Sequence, residues 1–248
     1  VKVAISGDGG DELFCGYNRH VMIKKLSSLF SYMPIKIRKI LSNVLRSMSS
    51  EKLVKILKLL PFLNCYKNLG EKLLKTSNVI ALRSINDVYS SLCSHWQNPT
   101  EIVINSKELA IPLGEIKKEI INLGIQEQIM ILDAMTYLPD DILVKVDRAA
   151  MSSSLETRAP FLDHKLIEYV WKLPQHFKYR NGEGKWILKQ ILSQHVPQKF
   201  TQRPKMGFGI PIEKWLSGSL KDWAENLLDE KRLQQDGYFN PKLVRDKW

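Results

Sequence analysis

Three cysteines among 248 residues, Cys15, Cys65 and Cys93, are too few and too widely spaced for a disulfide framework, and no CxxC pair occurs. An odd count of scattered thiols fits a reducing compartment, so a cytoplasmic location is expected. The histidines at 20, 95, 164, 176 and 195 form neither HxxxH nor HExxH, which argues against a His/Cys metal centre. No run of about 18 uncharged apolar residues occurs, so no membrane-spanning helix is expected. The chain starts inside an apolar segment with no basic stretch before it, so no signal peptide is expected. It also lacks an initiating Met, and a longer parent is the expectation. Repeats, low-complexity segments and clear linkers are missing as well.

The composition is that of an ordinary globular protein, with 44% hydrophobic and 25% charged residues, which excludes a wholly disordered or collagen-like chain. The length accommodates one large domain or two small ones. The net charge of +11 is local. Between Lys24 and Lys75 stand twelve basic residues against only Glu51 and Glu71, so this segment carries nearly all of it. Ile37, Ile40, Leu41, Val44 and Leu45, and then Leu53, Ile56, Leu57 and Leu60, recur at helical spacing. Two basic amphipathic helices are predicted, with a break at Pro34 and a stop at Pro61. Such helices attract an acidic partner or are simply solvated faces, and the segment lacks the interleaved aromatics of a nucleic-acid stacking platform. Binding to nucleic acid or to a membrane is not expected.

The rest of the chain also reads mostly as helix. Residues 1–5 are short and β-branched and form the only persuasive strand. A helix is predicted over 11–29. Ile125, Ile129, Leu132 and Met135 predict another, ending near Pro139, with Asp140 or Asp141 capping the next one toward Met151. Further helices are predicted over 161–173, 185–196 and 215–228, with a Pro/Gly loop over 203–211. Trp186, Trp215 and Trp223 lie among periodic apolar residues and are expected in the core.

The stretch Ser6-Gly7-Asp8-Gly9-Gly10-Asp11-Glu12 carries the most chemistry. A strand runs into a glycine-rich turn and then into a helix, which lets backbone approach a ligand and presents free N–H groups. Three carboxylates at the same place would repel bare phosphate, so the pattern suggests a nucleotide with Mg²⁺ held by a carboxylate. It is neither a P-loop nor GxGxxG. The alternative is structural: Asp8 as a helix N-cap and the glycines as a tight turn.

Residues 6–17, Ser-Gly-Asp-Gly-Gly-Asp-Glu-Leu-Phe-Cys-Gly-Tyr, resemble the SGDGGDELFGGY signature of the glutamine-hydrolysing asparagine synthetase family, with Cys15 in place of the first Gly of GGY. Leu-Pro-Asp-Asp-Ile-Leu-Val-Lys-Val-Asp-Arg at 138–148 and Glu-Thr-Arg-Ala-Pro-Phe-Leu-Asp at 156–163 resemble that family's next motifs, in order. Gly184-Lys185-Trp186-Ile187-Leu188 and the 203–211 loop add a third match. The resemblance is dense over 1–20 and 126–216 and thin elsewhere.

It implies an α/β fold of the ATP-pyrophosphatase type (adenine nucleotide α-hydrolase-like), of which this chain is a predominantly helical part. The family pairs an N-terminal glutaminase, which releases ammonia, with a synthetase domain that adenylates the aspartate β-carboxylate and lets ammonia displace AMP. The family's SGGxDS pyrophosphate loop and its glutaminase do not occur in residues 1–248, so the chain is expected to be the C-terminal part of the synthetase domain, inert alone. ATP and Mg²⁺ are the implied cofactors. Aspartate or another carboxylate and glutamine or ammonia are the implied partners, with a homodimer left open.

By the resemblance, Ser6 and Gly7 contact the adenylate through backbone, and Asp8 is tied to adenylate formation and to the incoming amine. Asp11 is a Mg²⁺ ligand, and Lys185 stabilises charge on the α-phosphate and pyrophosphate. Lys145, Asp147, Arg148 and Arg158 are possible supporting residues. Each has a plain structural reading beside it: Lys185 as a surface lysine, Lys145, Asp147 and Arg148 as an internal ion-pair cluster, and Arg158 and Asp163 as a buried salt bridge and helix cap. Loop 203–211 is either a mobile loop near phosphate or a surface turn. Relatives that amidate sugar acids remain a rival reading. The family's β-lactam-forming branch, which carries Tyr where Asp8 stands, does not fit. A non-catalytic anion-binding helical protein is the rival of another class.

Overall fold

A computed structural model describes residues 1–47, 77, 79–82, 84–94, 96, 98–107, 117–197, 200 and 210–248. The second predicted basic helix, Cys65 and positions 203–209 of the Pro/Gly loop lie outside the described residues. The chain divides into two compact units, one of residues 1–93 and 118–201, the other of 94–117 and 202–248.

The first unit opens with strand β1, Val3–Ile5, as its β-branched residues predict. It is not alone. β2, Glu156–Arg158, pairs with it in parallel, with Val3 opposite Glu156 and Ile5 opposite Arg158. Glu-Thr-Arg has no apolar alternation, so β2 gives no sequence signal; the backbone ladder holds it, extended by Ser6 N–H donating to the Arg158 carbonyl at 2.8 Å. The single helix predicted over 11–29 is also split, into α1, Gly10–Leu13, and α2, Asn18–Tyr32. Cys15 has a φ of 57°, a left-handed conformation that ends a helix. The family's usual glycine would adopt it without strain. Burial pushes the Cys15 thiol up to about 12.

α3, Ile35–Ser47, follows Pro34 as expected, but two of its polar residues are buried while Lys36, Lys39 and Asn43 stay exposed. Arg38 Nη1 donates to the carbonyls of Ile80 and Leu82 at 3.2 Å each, and Ser42 Oγ donates to the Ser77 carbonyl at 2.7 Å. Ile37, Ile40 and Val44 are exposed. Hydrogen bonding to the 77–82 segment decides the helix's rotation. α4 is Ile85–Cys93.

α5, Ile125–Leu132, does not end at Pro139. It runs through a π-helix, Asp133–Leu143, into α6, Val144–Met151. Pro139 removes one N–H donor and would clash with the carbonyl four residues back in an α-helix. The wider π turn relieves that clash, and Thr136 Oγ1 donates to the Leu132 carbonyl at 2.8 Å. α5 is held from its other side: Ile129, Met130 and Leu132 are fully buried against α2, which contributes Ile23. No capped break at Asp140 or Asp141 exists; both are exposed.

α7, His164–Lys172, is capped by Asp163, whose Oδ1 accepts from the Lys165 and Leu166 amides. Its Val170 joins Leu13 and Phe14 in a core cluster, with Phe161, Trp171 and Ile187 packed against it. α8 is Gln175–Lys178. β3 and β4, Tyr179–Arg180 and Glu183–Gly184, form a two-residue hairpin that leads into α9, Trp186–Ser193. Neither short strand was predicted.

Lys178 is fully buried, with Nζ 4.6 Å from the centre of the Trp171 ring and no hydrogen-bond acceptor among the described residues. Burial holds its pKa below the ordinary lysine value. The folded chain therefore binds this proton less readily than the unfolded chain. The cost is full below the depressed pKa and vanishes as the pH rises into the ordinary lysine range. Lys178→Met should stabilise the protein by about 1–2 kcal/mol at low pH, by removing an uncompensated buried charge. Urea titrations across pH should show the gain shrinking in alkali; a destabilised variant, or a pH-independent gain, would contradict this account.

The second unit is helical as well. The helix predicted over 215–228 is two, Ile212–Leu216 and Lys221–Leu227, separated by a turn in which the Leu220 amide donates to the Trp215 carbonyl at 2.8 Å. Helices Glu230–Asp236 and Pro241–Lys247 follow, capped by Asp229 and Asn240. Among its described residues Ile102, Ala224 and Leu233 are the buried apolar side chains, whereas Trp223 and Trp215 are 59% and 41% exposed and are not core. In the first unit Trp186 is half-buried. Among the described residues no helix is long and apolar enough to cross a membrane.

Candidate active site

The glycine–acid loop rests on the second motif. A Cβ on Gly9, whose φ is 87°, would lie 2.5 Å from Leu162 Cδ2, and one on Gly10 would lie 3.2 Å from the Phe161 ring. The Pro-Phe-Leu of residues 160–162 is thus the floor under the loop. Only glycine lets backbone settle on it. Asp8 does not cap α1: the N-cap position is Gly9, with no side-chain cap. Gly7 is exposed, and a Cβ there would meet nothing within 4 Å.

Two further glycines bring the first and third motifs together. A Cβ on Gly184 would overlap the Cys15 carbonyl oxygen, and one on Gly16 would overlap Asp11 Oδ1 and the Lys185 stem. The Lys185 amide donates to the Phe14 carbonyl at 2.7 Å, and Lys185 itself has a left-handed φ of 55°. That anchoring places Lys185 Nζ 3.0 Å from Asp11 Oδ2, with both side chains about a third exposed. Lys185 is therefore not a plain surface lysine: its ammonium lies against the loop's second aspartate.

Behind the loop stands a buried polar cluster. Tyr17 Oη donates to Glu12 Oε1 at 2.6 Å, and burial raises the Glu12 pKa. The Arg19 guanidinium lies 4.0 Å from the Tyr17 ring centre and 4.4 Å from that of Tyr137. Asp133, fully buried at the start of the π-helix, pairs with Arg19 at 2.7 Å, bonds His20 Nε2 at 2.6 Å, and accepts from Tyr89 Oη at 2.9 Å. Burial alone would raise the Asp133 pKa, but the bonds from His20 and Arg19 hold it below the ordinary carboxylate value. The motif reading passed over Tyr17, Arg19, His20 and Asp133 as site-supporting residues. One signal was legible: an Asp in register with Ile125, Ile129 and Leu132 on a buried helix face must find partners.

Ser6, Asp8, Asp147, Arg158 and Asp163 line one cleft of about 550 Å³, with Leu143, Val146 and Leu162 among its apolar walls. Ser6 Oγ is buried without a hydrogen-bond partner among the described residues. Two of the structural expectations need correction. The cluster expected of Lys145, Asp147 and Arg148 is not internal. Lys145 makes an exposed 3.6 Å pair with Asp141, Arg148 is exposed, and neither lines the cleft. Arg158 does pair, at 2.6 Å with Glu156, but on the surface rather than in the interior. Both side chains are more than half exposed, which leaves the pair hydrated.

The family described as asparagine synthase matches residues 1–248. The chain belongs to the asparagine synthase family. Its relatives include asparagine synthetase [glutamine-hydrolyzing] 1 of Bacillus subtilis (strain 168), 28% identical over 98% of this chain. A putative asparagine synthetase of Mycobacterium tuberculosis (strain ATCC 25618 / H37Rv) is 29% identical over 90% of it. The asparagine synthetase [glutamine-hydrolyzing] of Gallus gallus is 31% identical over 45% of it. The chain spans 36% of the length of the Bacillus relative and 32% of the mycobacterial one, about a third in each case. No solved structure matches it.

Proposed function

We propose that this chain is the C-terminal part of the synthetase domain of an ATP-dependent amide ligase, most simply one that makes asparagine from aspartate with glutamine-derived ammonia. The observation that carries the reading is the meeting of Asp11 and Lys185 at 3.0 Å beside a loop with an open Gly7 and an orphaned Ser6 hydroxyl. Exposure of Val3 and Ile5, 48% and 80%, supports a partial domain, since β1 presents apolar side chains that a larger α/β sheet would cover.

In this reading a substrate carboxylate oxygen attacks the α-phosphorus of ATP and pyrophosphate leaves, forming an acyl-adenylate. Ammonia then attacks the acyl carbon, its extra proton is taken up, and AMP departs with the C–O pair. Ser6 and Gly7 hold the adenylate by backbone, with the Ser6 hydroxyl available as a donor. Asp8, on the cleft wall, accepts the proton that the amine must lose. Lys185 offers a cation to the departing pyrophosphate, where positive charge stabilises the negative charge that develops. The residues present fit Mg²⁺: Asp11 supplies a hard oxygen ligand, and the Lys185 ammonium already stands at it as a cation. When bound there, Mg²⁺ would neutralise charge on the phosphates. The cytoplasm is the compartment in which such a ligase would meet ATP.

The decisive experiment is carboxylate-dependent ATP–pyrophosphate exchange by the full-length protein, offering aspartate first and other acids after it. Exchange with aspartate is expected, with Lys185→Ala lowering it by about 10²–10³-fold or more, whereas Asp8→Ala should lower the ammonia-dependent formation of the amide by about 10²–10⁴-fold. Exchange only with a sugar acid would keep the chemistry and change the acceptor. No exchange with any acid would remove the ligase reading and leave the basic segment, tested by salt-dependent binding to polyanions, as the feature to explain.

A further inference from the structure

One side chain ties the glycine–acid loop to the π-helix. Arg19, at the start of α2, meets Asp133 with the edge of its guanidinium: Nε donates to Oδ2 at 2.9 Å, and Nη2 lies 2.7 Å from Oδ1. Its flat face lies against two rings, 4.0 Å from the centre of Tyr17 and 4.4 Å from that of Tyr137. Those rings meet edge to face, with centres 5.6 Å apart. Tyr17 in turn donates to Glu12 Oε1 at 2.6 Å, and Glu12 is 1% exposed within α1. α1 is a single turn with no side-chain cap, too short to stand by itself, so whatever fixes Glu12 also fixes how that turn is set. Asp133 and Tyr137 belong to the π-helix, which runs on to Leu143, Val146 and Asp147 at the cleft, whereas the loop brings Ser6 and Asp8 to it. Arg19 therefore joins the elements that carry both sides of the cleft without lining it.

We propose that Arg19 is a positioning residue for the reaction: through Tyr17 and Glu12 on one side, and Asp133 and Tyr137 on the other, it fixes the loop that bears Asp8 against the π-helix wall of the cleft. The inference rests on the reading of that cleft as a ligase site and adds to it a residue that substrate does not touch. The task suits a guanidinium. Its edge holds a carboxylate at two points while its face stacks on rings, and the point charge of an ammonium does not do both. The Arg19 side chain is 17% exposed and that of Asp133 is fully buried, so water competes little for the pair. Asp133 is also bonded to His20 and accepts from Tyr89, so Arg19→Lys leaves the buried carboxylate with partners and the fold intact.

The test uses the full-length protein, assayed for amide formation well below the melting temperature of each variant. Arg19→Lys should lower kcat by about 10–100-fold and change the KM for ATP by less than about threefold, as misplacement of a catalytic group does. Tyr17→Phe keeps the ring against the guanidinium but loses the bond to Glu12, and should lower kcat to a similar degree. Because both act along one chain of contacts, the double variant should fall no more than about threefold below the lower single one. Hydrogen–deuterium exchange supplies a readout independent of activity. The Leu13 and Phe14 amides, which donate to the Gly9 and Gly10 carbonyls, should exchange several-fold faster in Arg19→Lys, while those of α9 keep the parental rate. A kcat of Arg19→Lys within about threefold of the parent, losses that multiply in the double variant, or unchanged exchange at Leu13 and Phe14 would each overturn the proposal. If the parent forms no amide from any acid, the ligase reading has failed, and exchange at Leu13 and Phe14 alone decides whether Arg19 holds the loop.

Discussion

In Gly184→Ala the protein should lose more than 4 kcal/mol of stability, and any ATP–pyrophosphate exchange with it. The added Cβ would overlap the Cys15 carbonyl oxygen and lie 2.9 Å from its carbonyl carbon. Both are backbone atoms, so no side-chain rotation relieves the clash, and the 14–16 turn or the β3–β4 hairpin must move. Either movement draws Lys185 away from Asp11. Costs of this size are uncommon for a single methyl group and need a backbone displacement to explain them. Gly182→Ala is the control. That residue has a φ of 84° but nothing within 4 Å of a Cβ, so it should cost only about 1–2 kcal/mol of conformational strain and leave exchange intact. Thermal melts of both variants check the pair. Equal losses would mean that the backbone around Gly184 yields to the added methyl group at little cost.

Asp133→Ala should cost about 3–5 kcal/mol, the range for breaking a buried ion pair by removing one partner. The carboxylate is fully buried and accepts from His20, Arg19 and Tyr89 at once, so its loss leaves several donors unpaired in the interior. For a chain of this length the melting temperature should fall by about 10 °C. Asp133→Asn keeps an acceptor of the same shape but leaves the Arg19 charge without its counter-ion, and should fall between Ala and the parent. Because the folded Asp133 pKa is lowered, its contribution is present above the ordinary aspartate value and is lost as the pH falls through the folded one. The difference between parent and Ala variant should therefore narrow in acid. A variant within 1 kcal/mol of the parent at neutral pH would mean that the cluster relaxes or rehydrates.

The chemistry-bearing residues were legible because they are dense and local. A Gly-Asp-Gly-Gly-Asp run after a β-branched strand announces backbone approach and carboxylate function by itself, and its residue choices carried the family resemblance. The first strand, the start of α3 after Pro34 and the Asp163 cap were equally readable, since each depends on neighbours in sequence. The supporting polar cluster was not. Tyr17, Arg19 and His20 are ordinary surface types until Asp133, more than a hundred positions later, is seen buried against them.

The sequence by itself determined that the chain is mostly helical, that a glycine–acid loop opens it, and which family it resembles, because propensity, caps and motif identity are short-range properties. The tertiary structure decided the rest. It paired the polar Glu-Thr-Arg with β1, carried a helix through Pro139 by widening its turn, buried Arg38 and Ser42 of α3, and left Trp223 in solvent. It also set Lys185 on Asp11, through two glycines whose only signature is the space they leave empty. Each of these depends on which distant backbone and buried groups are left to satisfy, and no window of local sequence contains that information.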